Sequence, residues 1–131
     1  GRRLLTHVRD VMRSGDDVPI VGPLTGVSDA ILAMSRGGLG LVAVVGDAGR
    51  VLGIFTDGDL RRAFEKRIDL QSARIDSVMH ANPRTIAPDR LAVEAVEMME
   101  RYRINALLVA DADGRLLGAL NMHDLFTARV I

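Results

Sequence analysis

The sequence predicts an α+β fold made of two pseudo-twofold related β-α-β-β-α repeats packed through their sheets. Three observations carry this prediction. First, AILAMSRGGLGLVAVVGDAGRVLGIFTDGDLRRAF, from Ala30 to Phe64, matches AVEMMERYRINALLVADADGRLLGALNMHDLFTA at a constant offset of 65. Second, apolar runs of strand length alternate with amphipathic segments of helical period. Third, 48% of the 131 residues are hydrophobic but only 3% are aromatic, which suits one aliphatic core shared by two small units.

The elements follow in order. VRDVM (Val8–Met12) matches IDSVM (Ile75–Met79) at offset 67, so a two-residue length change separates this lead from the rest of each repeat. Leu4, Leu5, Val8, Val11 and Met12 have helical spacing and predict a leading helix. A short strand comes next, VPIV in the first copy and RTIA in the second, each near a proline that favours extended backbone. An amphipathic helix follows. In the second copy Leu91, Ala95, Met98, Met99 and Tyr102 recur at spacings of three and four, with Asp89 as the expected N-cap. GLVAVV and RVLGIF are joined by GDAG, and ALLVA and RLLGAL by DADG, each an Asp-x-Gly hairpin signal. A last helix begins at Thr56 or Asn121. The predicted boundaries are a tail over residues 1–7, one repeat over 8–68 and a second over 69–131.

Charge and composition exclude several classes of function. Lys plus Arg and Asp plus Glu number 17 each, so no global field draws the chain to nucleic acid or to an anionic membrane. The absence of cysteine removes disulfides, thiolate metal sites and thiol nucleophiles, and agrees with a cytoplasmic location. No stretch approaches the roughly 18 uninterrupted apolar residues of a membrane span. The charged start GRRLLTHVRDVM lacks the apolar core of a signal peptide. It does not begin with Met and reads as a piece of a longer chain. No nucleophile–base pair or catalytically spaced carboxylates occur, so binding is expected of this chain, and catalysis is not.

The chemistry-bearing motif is GIFTDGDL, Gly53 to Leu60, echoed by GALNMHDL. Thr56 and Asp59 have the capping-box spacing, in which each side chain satisfies an orphan amide. Asn121 and Asp124 form a looser version. The same geometry suits a ligand. Helix N-terminal amides attract phosphate, a Thr or Asn cap can donate to it, and a first-turn carboxylate can accept from ribose hydroxyls. Cap and clamp are compatible, and the local pattern does not choose between them.

Two β-α-β-β-α repeats, each closing with G-h-x-[TSN]-x-x-D, resemble a tandem pair of CBS domains, a Bateman module. The resemblance spans about Val8 to Ala128. It implies two clefts that take adenine nucleotides or other nucleotide-containing metabolites. It also implies that Thr56 and Asp59, with Asn121 and Asp124, contact phosphate and ribose, Asn121 departing from the usual Thr. The early strands would hold the base through Val18, Pro19 and Ile20, and through Thr85 and Ile86. IFTDGDLRRAFE, AVEAVEMM and LNMHDL look like the C-terminal CBS pair of D-arabinose 5-phosphate isomerases of the KdsD/KpsF/GutQ group. That likeness implies a missing N-terminal sugar isomerase (SIS) domain, whose trailing edge is Gly1–Leu5, acting on the way to Kdo and lipopolysaccharide. It implies no required cofactor and a regulatory ligand such as CMP-Kdo, with an adenine nucleotide as the alternative. A homo-oligomer is expected, a CBS-pair dimer within a full-length tetramer. A purely structural oligomerisation module is the rival reading.

The remaining residues weigh as follows. His7 and His80 read as surface histidines without metal spacing. His123, in the first turn after Asn121, can donate to phosphate when charged. Arg61 and Arg62 read either as a solvated helix face or as a grip on a ligand carboxylate or phosphate. Gly37, Gly38 and Gly40 follow a helix and read as its C-cap. Met98 and Met99 read as packing.

Overall fold

The alternation of helical and two-residue periodicity is realised over the described residues, 5–131, of the computed structural model. Leu4 and the first four residues of the expected tail lie outside them. The leading helix is a single turn, α1 (Val8–Val11), because Met12 is already extended (φ −62, ψ 150). Its N-cap is His7, whose amide donates to Asp10 Oδ2 at 2.9 Å.

The chain forms two compact units, and their limits differ from those of the linear repeats. One unit is Asp16–Pro83; the other joins the described residues up to Gly15 to Arg84–Ile131. Each repeat's core elements therefore associate with the lead that precedes the other repeat. Residues 8–15 pack with the second repeat, and 69–83 with the first.

In the first-repeat unit, β1 (Ile20–Val21) runs parallel to β2 (Leu41–Val45), which pairs antiparallel with β3 (Val51–Thr56). A fourth strand, β4 (His80–Ala81), pairs antiparallel with β3. The order is β1-β2-β3-β4. Helix α2 (Val27–Gly37) follows β1, and α3 (Asp57–Glu65) follows β3. Its buried cluster includes Val27, Ala30, Met34, Val42, Val44, Phe55 and Ile75. Of the glycines read as the C-cap, Gly37 is instead the last residue of α2, and Gly38 fills the role: it is left-handed (φ 67) and returns its amide to the Met34 carbonyl. The GDAG segment makes the expected hairpin, with Ala48 and Gly49 at positive φ.

The second-repeat unit repeats this plan at offset 65. Strands β5 (Thr85–Ile86), β6 (Ala106–Ala110) and β7 (Leu116–Asn121) form a sheet in that order. Helix α4 (Ala92–Tyr102) follows β5, and the short α5 (Met122–Thr127) follows β7. Val8 from α1 sits in the core of this unit with Ala92, Ala95, Met99, Leu107, Leu120 and Leu125. The cap of α4 differs from expectation. The helix begins two residues later than Asp89 would place it, with Leu91 as N-cap and Glu94 accepting from the Leu91 amide at 2.8 Å. A carboxylate at N3 supplies the reciprocal half of a capping box when the cap residue is apolar.

The exchanged leads explain the glycine of the repeated motif. Arg13 bridges Ala119 through two backbone hydrogen bonds of 2.8 and 2.9 Å, and His80 pairs with Ile54 at the equivalent place. Each lead therefore crosses the glycine next along the strand. A Cβ on Gly118 would lie 2.5 Å from the Arg13 carbonyl oxygen and 2.7 Å from the Met12 sulfur. A Cβ on Gly53 would collide with the Met79 sulfur and stand 3.0 Å from the His80 carbonyl oxygen. Gly53→Ala and Gly118→Ala are each expected to destabilise the chain by roughly 1–3 kcal/mol through overpacking against backbone. The urea midpoint should fall at an unchanged slope; an unmoved midpoint would contradict this crossing.

Candidate functional site

The strand-to-helix junctions carry the chemistry, and both are capping boxes. At the first, the Asp59 amide donates to Thr56 Oγ1 at 3.3 Å, and the Thr56 amide donates to Asp59 Oδ2 at 2.9 Å. The Thr56 hydroxyl also donates to Asp59 Oδ2, at 3.1 Å. That bond uses the only hydroxyl proton, so Thr56 donates to a phosphate only after its hydroxyl turns away from Asp59. At the second junction the Asp124 amide donates to Asn121 Oδ1 at 2.8 Å, and the Asn121 amide to Asp124 Oδ2 at 3.1 Å.

Both aspartates are largely buried, and each is neutralised by an arginine from a different source. Asp59, 8% exposed, receives Arg62 Nη2 on Oδ1 at 2.7 Å, one helical turn away. Asp124 receives Arg13 on Oδ1, from Nη2 at 2.9 Å and Nε at 3.2 Å. Arg13 comes from the exchanged lead, 111 residues earlier in the chain. Arg62 thus grips the motif carboxylate itself, while Arg61 stays on the exposed helix face. On each aspartate Oδ2 serves the cap; Asp59 Oδ1 holds one guanidinium N–H with a second lone-pair direction left, whereas Asp124 Oδ1 already accepts two N–H groups of Arg13.

The early strands stand beside these junctions in the sheet register. Ile20 pairs with Ala43, and Ala43 with Ile54, while Leu41 pairs with Thr56. The chain entering β1 therefore lies at the same end of the sheet as Thr56, two strands away, or about 10 Å. Val18 is buried and Pro19 packs on Gly37, which leaves Ile20, half exposed, as the side chain that β1 offers. In the second copy Thr85 is exposed and Ile86 buried.

Thr85 and Ile86 line a groove of about 410 Å³ along α4. Arg84, Arg90, Arg101 and Tyr102 contribute to its walls, with Glu94, Glu97 and Met98. The Arg84 guanidinium stacks 3.5 Å from the Tyr102 ring centre, and Arg90 pairs with Glu94 at 3.1 Å. Asn121 and Asp124 are outside this lining. His123 is exposed, its Nε2 3.5 Å from the Thr127 hydroxyl. His7 contacts Asp10 and His80 is exposed in β4; no grouping among the described residues could hold a metal ion.

Arg13 and Arg84 escaped the sequence reading, and Tyr102 entered it only as part of the periodic face of the second-copy helix. The offset of 67 that equates Met12 with Met79 was the available signal for Arg13, since it also equates Arg13 with His80 across from the motif. Thr56→Ala is expected to cost about 1 kcal/mol and Thr56→Ser much less. Arg13→Ala strands a mostly buried carboxylate and is expected to cost roughly 1.5–3 kcal/mol. Arg62→Ala also strands a buried carboxylate, but Arg62 is 61% exposed against 34% for Arg13, so water takes over more of its contact and the cost should be smaller, about 1 kcal/mol. Chemical denaturation of the three variants checks this order.

Known proteins fit this description. The CBS domain family matches residues 8–66 and 75–131. The chain is 48% identical over all 131 residues to arabinose 5-phosphate isomerase KdsD of Pseudomonas aeruginosa, and 42% identical to that of Escherichia coli K12. It spans 40% of the length of each of these relatives. Among solved structures, the CBS domain pair of protein MJ0100, in complex with 5'-methylthioadenosine and S-adenosyl-L-methionine, superposes with a TM-score of 0.85. That likeness holds at 19% identity and covers 95% of this chain and 96% of that one. CBSX2 in complex with AMP gives 0.81 at 23% identity, covering 95% and 96%. Two copies of the family pattern on one α+β scaffold, aligned end to end with the CBS-containing part of KdsD enzymes, make this chain a tandem pair of the CBS domain family.

Proposed function

We propose that this chain is the regulatory, nucleotide-binding part of an arabinose 5-phosphate isomerase of the Kdo pathway, acting in the cytoplasm. One observation carries the reading. Asp59 is buried with its orientation fixed by a cap and a guanidinium, yet its Oδ1 keeps an acceptor direction for a ribose hydroxyl. The 9-residue α3 adds amides and a dipole end for phosphate. The chain entering β1, just before Ile20, stands about 10 Å from Thr56 across the sheet, a separation suited to base and phosphate of one nucleotide.

Relatives named as KdsD suggest what the signal is. A downstream nucleotide sugar such as CMP-Kdo would report a full pathway. It would offer ribose hydroxyls to Asp59, phosphate to the Thr56 junction, and a sugar-acid carboxylate to Arg61. Solved CBS pairs carrying AMP favour an adenine nucleotide as the alternative ligand. The catalytic step belongs to the part of the enzyme outside these residues. Titration calorimetry with CMP-Kdo, CMP, AMP and ATP tests the reading, and silence from all four would end it. Thr56→Ala combined with Asp59→Ala should abolish ligand-induced thermal stabilisation as well as the cap contribution.

The structural reading is favoured by a different observation. Phe64 and Phe126, on α3 and α5, are 74% and 66% exposed, more apolar surface than an isolated helix face needs. Under it the double variant would lose cap stability alone, and the chain would serve to assemble a homo-oligomer.

A further inference from the structure

The two repeats share a backbone plan, so the places where their side chains diverge carry information about use. The sharpest divergence lies where the early strand meets the end of the following helix. In the first-repeat unit this meeting is Pro19 with Gly37, and a Cβ on Gly37 would lie only 2.7 Å from Pro19 Cγ. Offset by 65, the same two positions hold Arg84 and Tyr102, stacked at 3.5 Å. Close packing in one unit is replaced in the other by a cationic plane on an aromatic ring. Beside that plane lies the groove of about 410 Å³, within the size range of small-molecule sites.

We propose that this groove, with Arg84 and Tyr102 as its specificity-determining pair, is a one-sided nucleoside-phosphate site with no counterpart in the first-repeat unit. The inference rests on the nucleotide-binding reading above. A guanidinium centred over a ring and exposed to solvent offers a base a stacking surface, since bases stack on Arg and aromatic planes alike. Ile86 and Met98 supply apolar contact, and the exposed Thr85 supplies a hydroxyl to base edges. Arg101 provides the cation that a phosphate requires, while Glu97 can accept from ribose hydroxyls. Arg90 is engaged with Glu94, so the groove is not left with unbalanced negative charge. In the first-repeat unit the positions of Glu97, Met98 and Tyr102 are Leu32, Ala33 and Gly37, which have neither the charge nor the stacking surface.

The test uses the 131-residue chain and two probes, AMP and CMP. The chain has one tyrosine and no tryptophan, so tyrosine ring signals in an NMR titration belong to Tyr102. Occupancy of the groove should shift those signals in step with calorimetric binding. Arg84→Ala and Tyr102→Ala should each weaken the responsible site about tenfold. Arg84→Lys should behave like the alanine variant, since an ammonium keeps the charge and loses the plane. Arg84 is exposed, so its variants report on the groove even if Tyr102→Ala fails to fold. Binding heat with an unmoved Tyr102 ring, or undiminished affinity in the Arg84 variants, overturns the groove and leaves the nucleotide reading standing. Absence of heat from both probes with the unaltered chain overturns the groove, and the four-ligand titration then decides the broader reading separately.

Discussion

The crossing of each exchanged lead over a strand glycine is the constraint on which the rest of the architecture depends. At Arg13 and at His80 the lead pairs with the last strand of a sheet, and the adjacent residue must lack a Cβ to let it pass. The glycine, the strand end and the cap are thus fixed relative to one another within three or four residues. Without that fixed crossing, β3 and β7 would present an unpaired edge, which sheets tend to cover or complete. The crossing also brings Val8 into one core and Ile75 into the other, where both are fully buried. Each unit consequently needs a piece of sequence from outside its own repeat to finish its sheet and its core.

The lead also supplies the electrostatics of one junction. A buried carboxylate without a partner is costly, and the two units solve this in different ways. Asp59 takes Arg62 from its own helix, so its environment is local. Asp124 takes Arg13, whose backbone is at the same time paired to Ala119. The position corresponding to Arg62 is Thr127, which cannot carry the charge, and the lead compensates. Two nearly identical motifs therefore differ in what holds their aspartate.

Cap and clamp turn out to share atoms. Oδ2 of each aspartate is committed to the cap, which pins the carboxylate plane and leaves Oδ1 as the side turned to other partners. A clamp built this way is preorganised, because the cap removes the rotamer freedom that a ligand would otherwise have to freeze. The Thr56 hydroxyl lies inside that arrangement, so its phosphate-facing role is conditional on a turn of one torsion.

By itself the sequence determined the repeat, the strand and helix order, both hairpins, the Gly38 stop and the Thr56 and Asn121 caps. These follow from short-range physics: periodicity, turn chemistry and hydrogen bonds between residues three apart. The α+β class and the CBS family followed from the same local patterns seen twice. Only the tertiary structure decided the rest, because each remaining feature pairs residues far apart in the chain. The leads pack with the opposite repeat, since strand pairing at Ala119 and Ile54 depends on where the chain can reach. The Asp124–Arg13 pair spans 111 residues and has no local signature. The start of α4 moved from Asp89 to Leu91 because Glu94 could close the first turn from inside the helix. The stack of Arg84 on Tyr102 follows from β5 and the end of α4 meeting in space, and 18 positions of sequence separation gave no hint of it.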